Sequence, residues 1–178
     1  MPLPLARPVM PAVRRRNNLI VDHCIGEGVK KPAESIIMID GLTVRFATLD
    51  DLQFVHQDRY IATDVVRRKI EWKEVIVAEI NGNLMGYLRL EYLWSVIPCI
   101  GLIRVVAEHR GKGVGKAMLR YTEEYLREKG YEWLYSSSQV NEPEAQSWHR
   151  KVGFKECGLI AGINEGEIGE VFFRKQVK

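Results

Sequence analysis

Three glycines and three basic residues share seven consecutive positions of this 178-residue chain, Arg110-Gly111-Lys112-Gly113-Val114-Gly115-Lys116. Glycines let backbone N–H groups converge on one point, and the helix predicted to follow adds unpaired amides and the positive end of its dipole. The arginine and the two lysines add full positive charges. This combination is typical of a loop that binds phosphate or pyrophosphate, and the alternative is a glycine-rich turn with solvated basic side chains.

The spacing of these residues excludes two common phosphate-binding loops. A P-loop requires GxxxxGK followed by Ser or Thr, whereas Ala117 follows Lys116 here. A dinucleotide-binding GxGxxG pattern fits Gly111 and Gly113, but its third glycine position is occupied by Lys116. The strand predicted after the helix also lacks the acidic residue that would bind a ribose.

His149 and Glu91 are the candidate catalytic side chains. His149 borders the inner stripe of a predicted helix, and an imidazole with a pKa near 6.5 could donate or accept a proton at neutral pH. The alternative is a helix-edge histidine bonded to a backbone carbonyl. Glu91 ends a predicted central strand and could steer an amine or a base water, although a salt bridge is the ordinary reason for such a residue. Ser136 to Ser138 have no His or Asp partner nearby in sequence, so a nucleophilic serine is not expected.

The elements that must position these residues follow the order β-α-α-β-β-β-α-β-α-β-β. Asn81-Gly82 between two apolar runs predicts a tight hairpin, and Gly130 predicts the end of the long central helix. The order favours an α/β (α+β) fold with a mixed, largely antiparallel central sheet flanked by helices. The predicted strands are 42–47, 75–80, 84–92, 100–106, 131–136, 154–163 and 168–175, and the predicted helices are 52–56, 63–70, 114–129 and 142–152.

Two motifs in this order resemble the GNAT superfamily of acyl-CoA-dependent N-acetyltransferases. The first is Arg110-x-x-Gly113-x-Gly115 after the strand triplet Ile103-Arg104-Val105. The second lies downstream and comprises Asn141, Ala145, Trp148, His149 and Val152-Gly153-Phe154. The resemblance covers roughly residues 42–176 and implies the family's fold, in which a splayed pair of strands holds the cofactor.

The resemblance implies that acetyl-CoA is the co-substrate and assigns its contacts. Backbone amides of Gly111, Lys112, Gly113, Val114, Gly115 and Lys116 would hold the pyrophosphate, with Arg110 shaping the turn. The strand before the turn would carry a bulge that splays it from the next parallel strand, and pantetheine would pair with the main chain of Ile103 and Val105. The Val105 amide would polarise the thioester carbonyl as an oxyanion donor, and Asn141 would bond the pantetheine arm.

The implied chemistry is direct attack of a neutral primary amine on the thioester within a ternary complex. Many family members use a tyrosine of the late helix to protonate the leaving CoA thiolate, and the matching position here is His149. Because of this departure, a second function stays open, namely a non-catalytic CoA-binding regulatory module.

Composition indicates one ordinary domain with an extension. The chain has 26 basic and 23 acidic residues, and five of its seven prolines lie in residues 1–40. We therefore predict an irregular N-terminal extension over 1–40 and an N-acetyltransferase (GNAT) domain over 41–178. The net charge of +3 makes a nucleic-acid partner unexpected despite the basic run Arg14 to Arg16.

The remaining expectations concern partners and surroundings. No apolar run is long enough to span a bilayer, so no membrane partner is expected. Cys24, Cys99 and Cys157 lack metal-site spacing, which predicts no metal and a cytoplasmic protein. The acceptor would be a small-molecule or peptide amine, and the apolar turn 93–97 makes a homodimer plausible.

Overall fold

The computed structural model describes residues 40–57 and 61–177. The predicted extension over 1–40 lies outside the described residues except for Asp40, as do Arg14 to Arg16 and Cys24. The predicted element order is confirmed. In chain order the elements are β1 (Leu42–Phe46), α1 (Leu52–Val55), α2 (Thr63–Glu71), β2 (Val75–Ile80), β3 (Asn83–Leu93), β4 (Ile97–Val105), α3 (Val114–Glu128), β5 (Trp133–Gln139), α4 (Pro143–Lys151), β6 (Lys155–Asn164) and β7 (Ile168–Gln176).

The seven strands form one sheet in the order β1-β2-β3-β4-β5-β7-β6. Every neighbouring pair is antiparallel except β4 with β5. Because alternate strand residues point to opposite faces, the sheet builds two apolar clusters. One, with α1 and α2, includes Val55, Val66, Ile70, Val77 and Tyr87. The other includes Met118, Leu119 and Leu126 of α3 together with Leu134 and Phe173.

Local residue choices explain where the chain turns. Asn81 and Gly82 both have positive φ, at 50° and 79°, which is the geometry of the tight hairpin predicted between β2 and β3. Helix α3 ends before Gly130, whose φ is 80°. The amides of Gly130 and Tyr131 bond back to the carbonyls of Arg127 and Leu126 at 2.9 and 3.0 Å, which closes the helix.

Strands β4 and β5 are paired only near their N-terminal ends. Along the described length of both strands, pairing is confined to Cys99 with Tyr135 and Ile100 with Ser136. Beyond these pairs the strands diverge, and we call the resulting gap the fork. The register between β3 and β4 shifts at the same level, which leaves Gly101 as an extra residue on β4. This bulge agrees with the expected splaying of the two strands.

A side chain at the bulge would not fit. A β-carbon at Gly101 would lie 2.4 Å from Cγ of Glu91, so the glycine allows Glu91 to cross over β4. Strand β5 extends three residues beyond its predicted end at Ser136, and this brings Ser137 and Ser138 into the strand. No helix within residues 40–57 and 61–177 has the length and apolar character to cross a bilayer.

Candidate active site

The glycine-rich turn is open and left-handed. Gly111 and Gly113 have φ of 73° and 95°, a region that residues with a β-carbon avoid. Gly113 is the N-cap of α3, and the amide of Ala117 is bonded to the Gly113 carbonyl at 2.9 Å. The amides of the first helical turn before Ala117 therefore point out of the helix end, as an anion site requires. Arg110 to Gly113 are all exposed.

Arg110 connects this turn to the end of β4. Its Nε donates a hydrogen bond to the carbonyl oxygen of Val105 at 3.1 Å. Between them, a 3-10 turn over Ala107–His109 reverses the chain. The contact holds the turn against the mouth of the fork.

The β4 side of the fork presents backbone groups. Val106 donates its amide to Met85 of β3 at 2.9 Å, so its main-chain groups face β3. Backbone groups alternate between the two edges of a strand, and those of Ile103 and Val105 therefore face the β5 side. Because β5 has already diverged, the fork lies beside these two residues. The structure thus brings the expected pantetheine residues of β4 to one open edge.

Ser138 lies on the β5 side of the fork, and the sequence offered no role for it beyond a nucleophile that was not expected. Its residue is buried, and its hydroxyl has no hydrogen-bond partner among the described residues. Leaving a buried hydroxyl without a partner costs free energy, so a ligand in the fork is a natural partner for it. Asn141 is exposed in the loop that follows β5. The Gln146 side-chain amide donates to the carbonyls of Gln139 and Val140 at 3.0 and 3.1 Å and fixes this loop.

His149 is buried inside the sheet–helix interface rather than at a helix edge. The residue is 4% exposed, and its ring stacks on Phe173 at 4.7 Å and 7°. The rings of Trp148 and Phe154 approach it edge-on at 5.2 and 5.6 Å. Both ring nitrogens have partners at 2.7 Å, with Nδ1 on the Ala145 carbonyl and Nε2 on the Ser136 hydroxyl.

These two contacts assign the tautomer of His149. A carbonyl oxygen only accepts, so Nδ1 carries the proton and Nε2 accepts the proton of Ser136. Burial lowers the pKa of His149 below its ordinary 6.5, so the ring is neutral at pH 7. The carbonyl bond named as an alternative for His149 is present. Ser136, which has no histidine partner nearby in sequence, gains one in the fold, because β5 and α4 bring together residues 13 positions apart.

Glu91 belongs to a network of charges between α2 and β3. Its two carboxylate oxygens contact Arg89 Nε at 3.1 Å and Lys69 Nζ at 2.6 Å. Lys69 also contacts Glu74 and the Leu90 carbonyl, both at 3.0 Å. Lys69, Glu74 and Arg89 are buried, whereas the Glu91 side chain is 36% exposed. The salt bridge that sequence reasoning named as the ordinary role of Glu91 is therefore present, at the base of the fork.

The remaining features of the described residues are possible metal ligands, two cysteines and an apolar turn. Within the described part of the chain, no group of three or more His, Cys, Asp or Glu residues could hold a metal. Burial raises the pKa of Cys99 to about 12, as expected for a packing residue, and Cys157 is an exposed free thiol. In the apolar turn 93–97, Trp94 is 81% exposed and its φ is 48°.

Comparisons with known proteins agree with this geometry. Residues 44–154, more than half of the chain, match the model described as the acetyltransferase (GNAT) family. A streptothricin acetyltransferase from Streptomyces lavendulae is 33% identical over 93 residues, which cover 51% of this chain and 48% of that protein. The chain therefore matches about half the length of this curated relative.

Solved structures share the fold. The putative acetyltransferase yncA from Salmonella typhimurium, solved with acetyl-CoA, has a TM-score of 0.67 and 20% identity, covering 78% of this chain and 95% of that one. Ard1 from Thermoplasma volcanium has a TM-score of 0.68 and 16% identity, covering 78% of this chain and 99% of that one.

Proposed function

This chain belongs to the GNAT acetyltransferase family, and we propose that it transfers the acetyl group of acetyl-CoA to a primary amine by direct attack in a ternary complex. One observation carries the proposal. The left-handed glycine turn at the start of α3 leads directly into the fork, so a phosphate site and a gap for an extended thiol arm are continuous.

In this proposal the turn binds the pyrophosphate of acetyl-CoA. The amides of Gly111, Lys112, Gly113, Val114, Gly115 and Lys116 supply the donors, and the lysines add charge. Arg110 keeps the turn in position through its bond to the Val105 carbonyl. Gly115 also lets the first turn of α3 approach Trp148, since a β-carbon there would lie 3.6 Å from the indole ring.

Pantetheine then lies in the fork, between backbone groups of Ile103 and Val105 on one side and Ser138 with Asn141 on the other. The amide of Val105, or that of Ile103 nearer the base, donates to the thioester oxygen as negative charge develops there. The unpartnered hydroxyl of Ser138 supports this placement.

The acceptor amine approaches from the base of the fork, where Glu91 is partly exposed. Its carboxylate is already bonded to Lys69 and Arg89, so we assign Glu91 to orienting a cationic amine rather than to removing a proton. After the ammonium has lost a proton to water, the neutral nitrogen attacks the thioester carbon and the C–N bond forms. The C–S bond then breaks, and one proton passes from the nitrogen to the departing CoA sulfur.

The acceptor class is a small-molecule or peptide amine. The identity to a streptothricin acetyltransferase supports including streptothricin among the amines tested, beside amino acids, polyamines and peptides with free N-termini. The domain over 41–178 is proposed as the catalytic unit.

We also propose a homodimer, for which the exposed Leu159, Ile160 and Ile163 of the edge strand β6 offer an apolar surface. Light scattering of the wild type and of Ile160→Lys tests it, with a monomeric wild type as the contrary result.

The proposed activity is tested in two steps. Calorimetry with acetyl-CoA measures binding, and release of free thiol over the amine panel measures transfer. We expect binding, and amine-dependent thiol release with at least one acceptor. Absence of acetyl-CoA binding would contradict the proposal. Binding without turnover on any amine would favour the alternative, a non-catalytic CoA-binding regulatory module.

A further inference from the structure

Among residues 40–57 and 61–177, the Ser136 hydroxyl is the polar group that links His149 to the fork. The imidazole is enclosed by Phe173, Trp148 and Phe154. Its Nδ1–H is bonded to the Ala145 carbonyl inside α4, and its Nε2 is bonded to Ser136. A reacting group that contacts neither nitrogen directly can therefore reach His149 only through the serine hydroxyl.

Ser136 lies at the base of the fork. It belongs to the last paired position of β4 and β5, and its hydroxyl lies 3.5 Å from the Ile100 carbonyl across that pair. The turn that binds pyrophosphate lies at the other end, beyond Val105. Five strand residues separate the two ends, about 16 Å at roughly 3.3 Å per residue. An extended thiol arm entering from the turn therefore brings its reactive end toward Ser136.

We propose that Ser136 relays a proton from the attacking nitrogen to His149 and then from His149 to the CoA sulfur. This inference rests on the proposed acetyl transfer and adds a catalytic residue to it. The pair resembles a serine–histidine nucleophile only in its geometry, because the serine forms no covalent bond to the acetyl group in this reaction.

The proton balance closes within the pair. When the C–N bond forms, the positively charged nitrogen gives a proton to the Ser136 oxygen, while the proton of Ser136 moves to His149 Nε2. When the C–S bond breaks, the imidazolium returns a proton through Ser136 to the sulfur. His149 and Ser136 end as they began, and one proton has moved from nitrogen to sulfur.

The surroundings of His149 suit this temporary role. Nδ1–H remains bonded to the Ala145 carbonyl in both charge states, and this bond stabilises the imidazolium while it exists. Burial lowers the pKa of His149, which keeps the resting ring neutral and able to accept. Direct truncation of His149 would also remove a core ring, so Ser136 is the better residue to test.

The test compares Ser136→Ala with Ser136→Thr, which retains the hydroxyl, and with Ser137→Ala, which removes a hydroxyl from the opposite face of β5. Single-turnover thiol release, the acetyl-CoA Kd and the melting temperature are measured for each. We expect Ser136→Ala to slow transfer roughly 100-fold or more, as loss of proton transfer does, with Kd within about twofold of wild type. Ser136→Thr should retain most of the rate, and Ser137→Ala should match wild type.

Two results with Ser136→Ala would overturn the relay. The first is a Ser136→Ala rate within about threefold of wild type, and the second is a loss of rate matched by an equal loss of acetyl-CoA affinity, which would indicate a packing role. If Ser136→Ala does not fold, the ring-nitrogen chemical shifts of His149 in the wild type test the relay instead. A proton on Nε2 would overturn it, since that nitrogen could then not accept a proton from Ser136. A wild type that binds acetyl-CoA but releases no thiol with any amine of the panel would refute the acetyl transfer itself, and the relay with it.

Discussion

Helix α3 carries a left-handed glycine at each end, and substituting each with alanine separates strain from ligand binding. Gly113 at the N-terminal end has φ of 95°, and Gly130 after the C-terminal end has φ of 80°. An L-residue in the left-handed region costs about 1–2 kcal/mol. The two variants therefore introduce the same kind of strain into one helix, but only Gly113 belongs to the turn proposed to bind acetyl-CoA.

The two ends differ in how firmly they are held. The C-terminal end is closed by hydrogen bonds from Gly130 and Tyr131, and Tyr131 packs on the core. The turn before α3 is exposed from Arg110 to Gly113. We therefore expect Gly130→Ala to keep its backbone and lose about 1–2 kcal/mol of unfolding free energy. Gly113→Ala should relax toward negative φ, lose less stability, and place its amides wrongly for the pyrophosphate.

Acetyl-CoA binding must then force the turn of Gly113→Ala back to its strained backbone conformation. The part of the strain energy that does not lower the unfolding free energy therefore weakens acetyl-CoA binding instead. Full relaxation of about 1.4 kcal/mol corresponds to a tenfold weaker acetyl-CoA Kd. Thermal or urea unfolding gives the first quantity and calorimetry gives the second. The sum of the two losses for Gly113→Ala should equal the loss of stability for Gly130→Ala. A Gly113→Ala variant that loses as much stability as Gly130→Ala with an unchanged Kd would contradict this expectation, and so would weaker acetyl-CoA binding by Gly130→Ala.

Further variants test the core beneath the site. A β-carbon at Gly86 would lie 2.6 Å from the Arg104 carbonyl oxygen, so Gly86→Ala should lower the unfolding free energy by about 1–3 kcal/mol. Gly158→Ala on β6 is the control, because open space surrounds Gly158 and the loss of unfolding free energy should be far smaller. Equal urea midpoints for the two variants would contradict this. Lys69→Met leaves the carboxylates of Glu74 and Glu91 without their shared cation. Urea unfolding should show a loss of about 3–5 kcal/mol of unfolding free energy, and a loss under 1 kcal/mol would show that this charge network does not stabilise the fold. The pKa of His149 in the folded protein lies below its unfolded value of about 6.5, so its contribution to stability is complete above pH 6.5 and is lost as the pH falls through the folded pKa. NMR titration should therefore find a ring pKa below 6.5. A ring pKa above that value would mean that His149 stabilises the fold at low pH instead.

Features that depend on local backbone requirements could be predicted from the sequence. Asn81-Gly82 adopts the positive φ values of a tight hairpin, and Gly113 and Gly130 bracket α3 because only glycine adopts those conformations cheaply. The element order and the glycine-rich turn follow from the same kind of information. The ends of the strands are not encoded locally in the same way, since the end of β5 depends on its pairing with β7 as far as Gln139.

Features that depend on contacts across the chain required the tertiary structure. From the sequence, His149 borders the inner stripe of α4 and Ser136 has no partner nearby, but docking of α4 on β5 buries the ring and joins the two at 2.7 Å. Likewise, the bulge at Gly101 and the packing of α2 surround Glu91 with cations. The sequence by itself determined the family and the turn for a phosphate ligand, because both are encoded in consecutive residues. The protonation and partners of the candidate catalytic groups were decided only by strand register and helix packing, because these bring together residues that are distant in the chain.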